Sequence, residues 1–315
     1  MVVLLILLIL STSNSLSTTL RPNSVQFMNS RQSLRPLFSS NQSLGQMVTS
    51  HSTNINKLQV VAPPPPPSTQ TQIQLDDIFY MRFVHQYTNN NNVFDLEKAQ
   101  SAITATFEYR AAQAPMLAVA RKAVELAYQN DVFNNDPILS MAPHSSIVTK
   151  FITPRNSIMA RLPLPSNDLL YIVKAGNVDD KELMKSVSVD QLTEFYTYAK
   201  EVQFLLSDRC SRTSDTLQSV VTLNDLSGTN LLGSSDFRNV LSKVSKQTSI
   251  YYPLLSRATV LANLPRLLTA LAKIFTPLFP PNIQRKLKFV YLDIPELKNI
   301  HSSLFLDNFE QDILQ

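Results

Sequence analysis

Cysteine, glycine and tryptophan are nearly missing from this chain of 315 residues, which holds one cysteine, four glycines and no tryptophan. The lone Cys210 excludes an intramolecular disulfide and any cluster of thiolate ligands. With glycines only at 45, 176, 228 and 233, neither a Gly-x-Gly-x-x-Gly dinucleotide turn nor a phosphate-binding P-loop can be written. The histidines, His51, His85, His144 and His301, are scattered without ligand spacing, so neither a metal nor another cofactor is expected. No nucleophile stands beside a base in a motif, and an esterase-like hydrolase therefore has no support. Paired carboxylates, Asp76-Asp77 and Asp179-Asp180, lie in turn-like or helix-starting sequence and read as solvated caps.

Acidic residues are absent from 1–75, which carry Arg21, Arg31, Arg35 and Lys57. Removing those four from the 28 basic residues leaves 24 against 24 acidic ones, so the net charge of +4 belongs wholly to this segment. The remainder is neutral, and a nucleic-acid partner is not expected. Val2–Leu10 is an unbroken aliphatic run, too short for a membrane span and of the length of a signal-peptide core, with small residues at Ser13, Ser15 and Ser17. Residues 1–17 are thus expected to be a signal peptide, the alternative being a buried strand or a stub anchor. The Ser/Thr/Asn/Gln-rich stretch that follows ends in the five prolines 63–67, and residues 18–74 are expected to be disordered. The stretch holds one glycosylation sequon, Asn41-Gln42-Ser43. An aliphatic core before an acid-free, Ser/Arg-containing stretch resembles the bipartite targeting sequence of algae with secondary plastids. Entry into the secretory pathway and a location peripheral to membranes are expected, with the plastid of a secondary-plastid alga as an alternative destination.

The rest of the chain is patterned for an α/β fold. Val220–Leu223 is a short apolar run closed by Asn224-Asp225 and Gly228, a buried strand ending in a turn. Ser234, Ser235 and Asp236 offer N-caps to a helix whose apolar residues are Phe237, Val240, Leu241 and Val244. Ala258–Ala262 and Lys286–Leu292 read as further strands, and Leu267–Phe279 as an apolar helix between Pro265 and Pro277. Strand, helix, strand, helix, strand requires crossovers and a parallel sheet. Leu169–Val173 is an earlier strand, and 147–165, with Pro154, Pro163 and Pro165, reads as an irregular connection. Ser188–Leu206 is amphipathic, opens on a Ser188/Gln191 capping box, and includes Glu201, for which a solvated helix carboxylate is the simple reading.

Several of these motifs resemble one family. Val221–Gly228 matches its strand followed by Asp-Leu-x-Gly, Tyr251-Tyr252-Pro253 its Tyr-Tyr-Pro, Asn263-Leu264-Pro265 its Asn-Ala-Pro, and Lys286 its strand-opening lysine. Upstream, Asp76-Asp77, Met81–Val84, Phe94–Ala99 and Tyr109-Arg110 follow the course of the same family's amino-terminal helices. In order and spacing the chain is similar to the CRAL-TRIO family of hydrophobic-ligand carriers over about 75–315. The periodicity agrees there: Asp95 is a good N-cap, Leu96, Ala99, Ile103 and Phe107 share a helix face, and Ala111–Tyr128 continues as an Ala-rich helix.

The resemblance implies a small all-helical module at 75–145 and a lipid-binding domain at 146–315. That domain is an α/β fold with a mixed, mainly parallel sheet, flanking helices and an apolar gate helix. It implies a lipid or other hydrophobic ligand held under the gate, no enzymatic activity, and a monomer that meets membrane surfaces transiently. Candidate ligand contacts are Thr222, Tyr252, Lys286 and Tyr87, with Leu267, Leu271, Ile274 and Phe275 on the gate. Where phosphatidylinositol-transfer members place an Arg, a Glu and a Thr, this chain has Tyr87, Leu254 and Ile283, so inositol recognition is not expected. A ligand-free module that docks at membranes is the alternative. Phe309–Asp312 falls where the family writes Phe-Gly-Gly, and the tail that follows there is not expected.

Overall fold

The computed structural model describes residues 27–28, 43–70, 73–89, 91–127, 136–153, 157–161, 168–229, 233–264 and 286–290. The Val2–Leu10 run, the gate segment Leu267–Phe279 and the chain end at Phe309–Asp312 lie outside them.

The amino-terminal part is helical: α1 (Leu44–Val61), a single turn α2 (Pro67–Gln70), α3 (Asp77–Gln86), α4 (Leu96–Ala112), α5 (Ala114–Ala127), and the short α6 (Asp136–Ser140) and α7 (Ser145–Val148). Asp76 and Asp95 cap α3 and α4 through the backbone N–H groups of Phe79 and Lys98. Asp76 is more than a solvated cap, because it also accepts two hydrogen bonds from Arg212 at 2.5 and 3.2 Å. On α4 the face formed by Ala99, Ile103 and Phe107 is buried.

Helix α1 corrects the expectation of disorder across 18–74. Ser43 and Gln46 form a reciprocal capping box, and Leu44, Met47, Ile55 and Leu58 bury against α3 and α4 in one apolar cluster with Phe79, Phe83 and Ile103. The chain around them is polar, but four apolar side chains on one face suffice when a partner surface is present. The helix start is tied to the body of the protein: Leu44 N–H donates to the Asp215 carbonyl at 2.7 Å and Gly45 N–H to its carboxylate at 3.1 Å.

The remainder builds a sheet of β1 (Phe27–Met28), β2 (Ser157–Arg161), β3 (Leu169–Lys174), β4 (Val220–Asp225), β5 (Ser256–Ala262) and β6 (Leu287–Val290), ordered β1-β6-β5-β4-β3-β2. All neighbours are parallel except β2, which runs antiparallel to β3. The crossover from β3 to β4 holds α8 (Asp180–Ser186) and α9 (Val189–Ser214), and that from β4 to β5 holds α10 (Ser235–Tyr251). The expected caps are in place: Ser188 with Gln191 closes a capping box on α9, and Ser234 accepts from Phe237 N–H on α10. Strand β2 corrects the reading of 147–165 as wholly irregular. It lies at the sheet edge, where a proline-bordered segment needs hydrogen bonds to one neighbour only.

Two glycines do specific work at the C-terminal end of the strands. Gly228 adopts φ +67 in the turn after β4, a region that side chains disfavour. Gly176 lies so close to the carbonyl of Ser227 that a Cβ would collide with it. The loop after β3 therefore rests directly on the loop after β4. At the other end, the buried Asp168 accepts from Ser219 N–H at 2.8 Å and pairs with Arg257 at 2.6 Å, fixing the starts of β3, β4 and β5.

Candidate ligand site

The two faces of the sheet differ. Partners in register on adjacent strands share a face. On one face Leu170, Ile172, Val221, Leu223, Ala258 and Val260 are all buried. On the other, one row crosses the sheet as Met159, Tyr171, Thr222, Thr259 and Leu287. There Tyr171, Thr222 and Thr259 are only half-buried. The same face is closed nearer the strand starts, where Leu169 and Val220 join the main apolar cluster with residues of α5, α9 and α10. The half-open part thus lies toward the C-terminal ends of parallel strands, where α/β sheets bind ligands.

Polar groups on this face come from both sheet and helix. Tyr171 and Ser157 share a hydrogen bond of 2.8 Å. Burial raises the pKa of both the Tyr171 and Tyr196 phenols. Lys200 of α9 places its Nζ 5.7 Å from the centre of the Tyr171 ring and donates to Gln203 Oε1 at 2.9 Å. Burial pushes the Lys200 ammonium down to about 8. The hydroxyls of Tyr196, Thr222 and Thr259 have no hydrogen-bond partner among the described residues. None of Tyr171, Tyr196 and Lys200 was anticipated. Tyr196 and Lys200 are four apart on an amphipathic helix, but the sequence does not say which strand that face meets.

A second polar centre joins the helical module to the sheet domain. Along one side of α9 stand Glu201, Phe204 and Asp208, at helical spacing. Glu201 takes a bidentate pair from Arg110, and both are buried. The solvated reading of Glu201 is corrected here, because α4 brings a guanidinium over it. Arg82 of α3 reaches Asp208 and Ser211 at 3.4 and 3.3 Å, and both arginines lie over the Phe204 ring at 5.7 and 5.9 Å. Burial lowers the Arg82 pKa, an effect that Asp208 counters.

The sequence-derived contacts divide between these two regions. Thr222 lies in the half-open row. Tyr252 is buried beside the second centre, its hydroxyl 3.3 Å from that of Tyr109, while Tyr251 stacks on Tyr109 at 4.1 Å. Burial raises the Tyr252 pKa well above the ordinary phenol range, so its ring packs between module and sheet domain as a neutral group. Tyr87 and Leu254 both pack on the apolar cluster of the helical module. Lys286 is half-buried immediately before β6, whose first residue, Leu287, pairs with Thr259. Leu267, Leu271, Ile274, Phe275 and Ile283 lie outside the described residues.

Among the described residues no group of three or more His, Cys, Asp or Glu side chains could hold a metal ion, and no helix is long and apolar enough to cross a membrane.

Comparison with known proteins yields no match to a curated protein sequence. Among solved structures, the crystal structure of Sfh5 is similar at 14% sequence identity and a TM-score of 0.46, over 80% of this chain and 82% of that one. The family model of the CRAL/TRIO domain matches residues 165–303, the span that holds β3 to β6 and all the motifs from Val221 to Lys286. Residues 165–303 of this chain are thus similar to the CRAL/TRIO domain, in agreement with the resemblance read from the sequence.

Proposed function

We propose that this protein binds a hydrophobic ligand against the half-open face of its sheet and transfers it to, or presents it at, a membrane. The observation that supports the reading most directly is the row Tyr171, Thr222, Thr259. A parallel sheet flanked by helices is ordinarily dry on both faces. This one leaves the Thr222 and Thr259 hydroxyls half-buried and, among the described residues, unpartnered on one face, as a surface shaped for an occupant would. The CRAL-TRIO family, to which residues 165–303 are similar, binds lipophilic ligands.

The chemistry of this reading is exchange, with no bond made or broken. Apolar tails of the ligand lie on the sheet, each buried methylene contributing roughly 0.8 kcal/mol. A two-chain lipid is then held tightly by either the protein or the bilayer, and little favours the water between. The segment Leu267–Phe279 acts as the gate in this account, with Leu267, Leu271, Ile274 and Phe275 as its candidate ligand contacts. It opens where a membrane can bury its apolar side while the ligand leaves. Tyr87 and Leu254, in apolar surroundings, give an inositol ring no polar grip. Delivery along the secretory route, by way of Val2–Leu10, belongs to the same proposal.

The test is native mass spectrometry with lipid extraction on the full chain produced in a eukaryotic host. A stoichiometric lipid that co-purifies supports the carrier. A chain that is empty and takes up no phospholipid, sterol or tocopherol from vesicles overturns it and leaves a docking module as the better account.

A further inference from the structure

We propose that Lys200 is the counter-charge for an anionic head group, a carboxylate or a phosphate, on the ligand held against this face. The inference rests on the carrier reading above and adds the chemical class of the ligand.

Enclosed cations in this protein are paired as a rule. Arg110 meets Glu201, Arg82 meets Asp208, and Arg257 meets Asp168. Lys200 breaks the rule: among the described residues its ammonium has no ion-pair partner and one hydrogen-bond acceptor, Gln203 Oε1. An ammonium has three donors, so two remain for a ligand. The neighbouring carboxylate on the helix, Glu201, is engaged by Arg110 of α4 and not by Lys200.

The position is equally specific. Tyr196 and Lys200 occupy successive turns of α9, and the amine sits over the ring of Tyr171. Tyr171 is in register with Thr222, which is in register with Thr259. One cation and several hydroxyls therefore border the same half-open surface, with no carboxylate among them in the described residues. An anionic oxygen placed there would accept from Lys200 and from a hydroxyl together. A choline head group would instead bring a fixed positive charge to a site that already holds one. Loss of water around the amine lowers its pKa, and a bound anion would reverse that cost.

The experiment compares ligand pairs that differ in charge but not in tail: a long-chain fatty acid against the alcohol of equal length, and phosphatidic acid against phosphatidylcholine with the same acyl chains. Binding to the full chain is measured for the native protein and for Lys200→Met and Lys200→Arg. The native chain is expected to prefer the acid of at least one pair by about tenfold or more. The responding pair tells carboxylate from phosphate. In Lys200→Met the preference should fall to near one, and Lys200→Arg should retain part of it. A native chain that binds both members of each pair equally overturns the inference and leaves the carrier reading intact, whatever the variants do. So does a folded Lys200→Met that keeps the full preference. Failure to bind any of the four ligands overturns the inference, while the carrier reading still stands or falls on the extraction and vesicle uptake described above.

Discussion

Arg110 of α4 and Glu201 of α9 form a two-point ion pair, Nη2 to Oε1 at 2.6 Å and Nη1 to Oε2 at 3.2 Å, with each side chain 1% exposed. It joins the helical module to the sheet domain at a place where water cannot compensate either charge. Glu201→Ala should therefore cost about 3–5 kcal/mol, since the Arg110 guanidinium is left buried without its carboxylate. The double replacement Arg110→Met with Glu201→Leu should recover most of that loss, because neither charge then has to be desolvated. Urea unfolding of the native chain, the single variant and the double variant measures both effects. A single variant within about 0.5 kcal/mol of the native chain would show that the pair is not a fastening between the two parts.

Helix α1 is held by apolar contact. Leu58 has no exposed surface, whereas Val60, two residues on, is 84% exposed. Leu58→Ala is expected to destabilise the protein by about 2–5 kcal/mol. Val60→Ser should stay within about 0.5 kcal/mol of the native chain. Thermal unfolding of the two variants distinguishes a docked helix from a tethered one, for which the two would behave alike.

These two elements also mark where the sequence was legible and where it was not. Strands β3, β4 and β5 are short apolar runs ended by turn residues, and α9 begins with a written capping box, so periodicity and caps located them. Helix α1 was missed because its Ser, Thr, Asn and Gln content outweighed Leu44, Met47, Ile55 and Leu58, although the Ser43/Gln46 capping box was there to be read. Strand β2 was hidden by the prolines on either side. In the site, Thr222 could be placed from the strand motif, since a residue between buried neighbours on a strand must face the other way. Glu201 and Lys200 were opaque for a different reason. They are adjacent charged residues of opposite sign on one helix, and the role of each depends on what tertiary packing brings to it, a guanidinium to Glu201 and a tyrosine ring to Lys200.

His51 of α1 and His85 of α3 face each other with ring nitrogens 3.4 Å apart, one of which has to be an unprotonated acceptor. Both have pKa values below the ordinary 6.5, through burial in each case and, for His85, also through the charges of His51 and Arg257. Below pH 6.5 the unfolded chain therefore binds protons that the folded chain refuses, and stability falls as the pH drops until the folded rings also protonate. Melting temperature followed from about pH 8 to about pH 5 should decline most steeply below the ordinary histidine value. The double variant His51→Gln with His85→Gln should have a shallower decline. An equal slope in both proteins would assign the acid sensitivity to other groups.

Thr222 and Thr259 offer the sharpest separation of ligand contact from fold. They are in register on β4 and β5, half-buried, and neither hydroxyl has a partner among the described residues. Replacing either by Val keeps the shape and the β-branched preference for a strand while removing only the hydroxyl. No intramolecular hydrogen bond is lost, so Thr222→Val and Thr259→Val should leave the melting temperature unchanged or slightly raised. What should change is the occupant. With the hydroxyls gone, the row accepts apolar tails and no longer satisfies a polar head group. The lipid extracted from the double variant should accordingly shift toward less polar species than that from the native chain. The shift is read by mass spectrometry of the two extracts, and identical profiles from two equally stable proteins would move the head group away from this row.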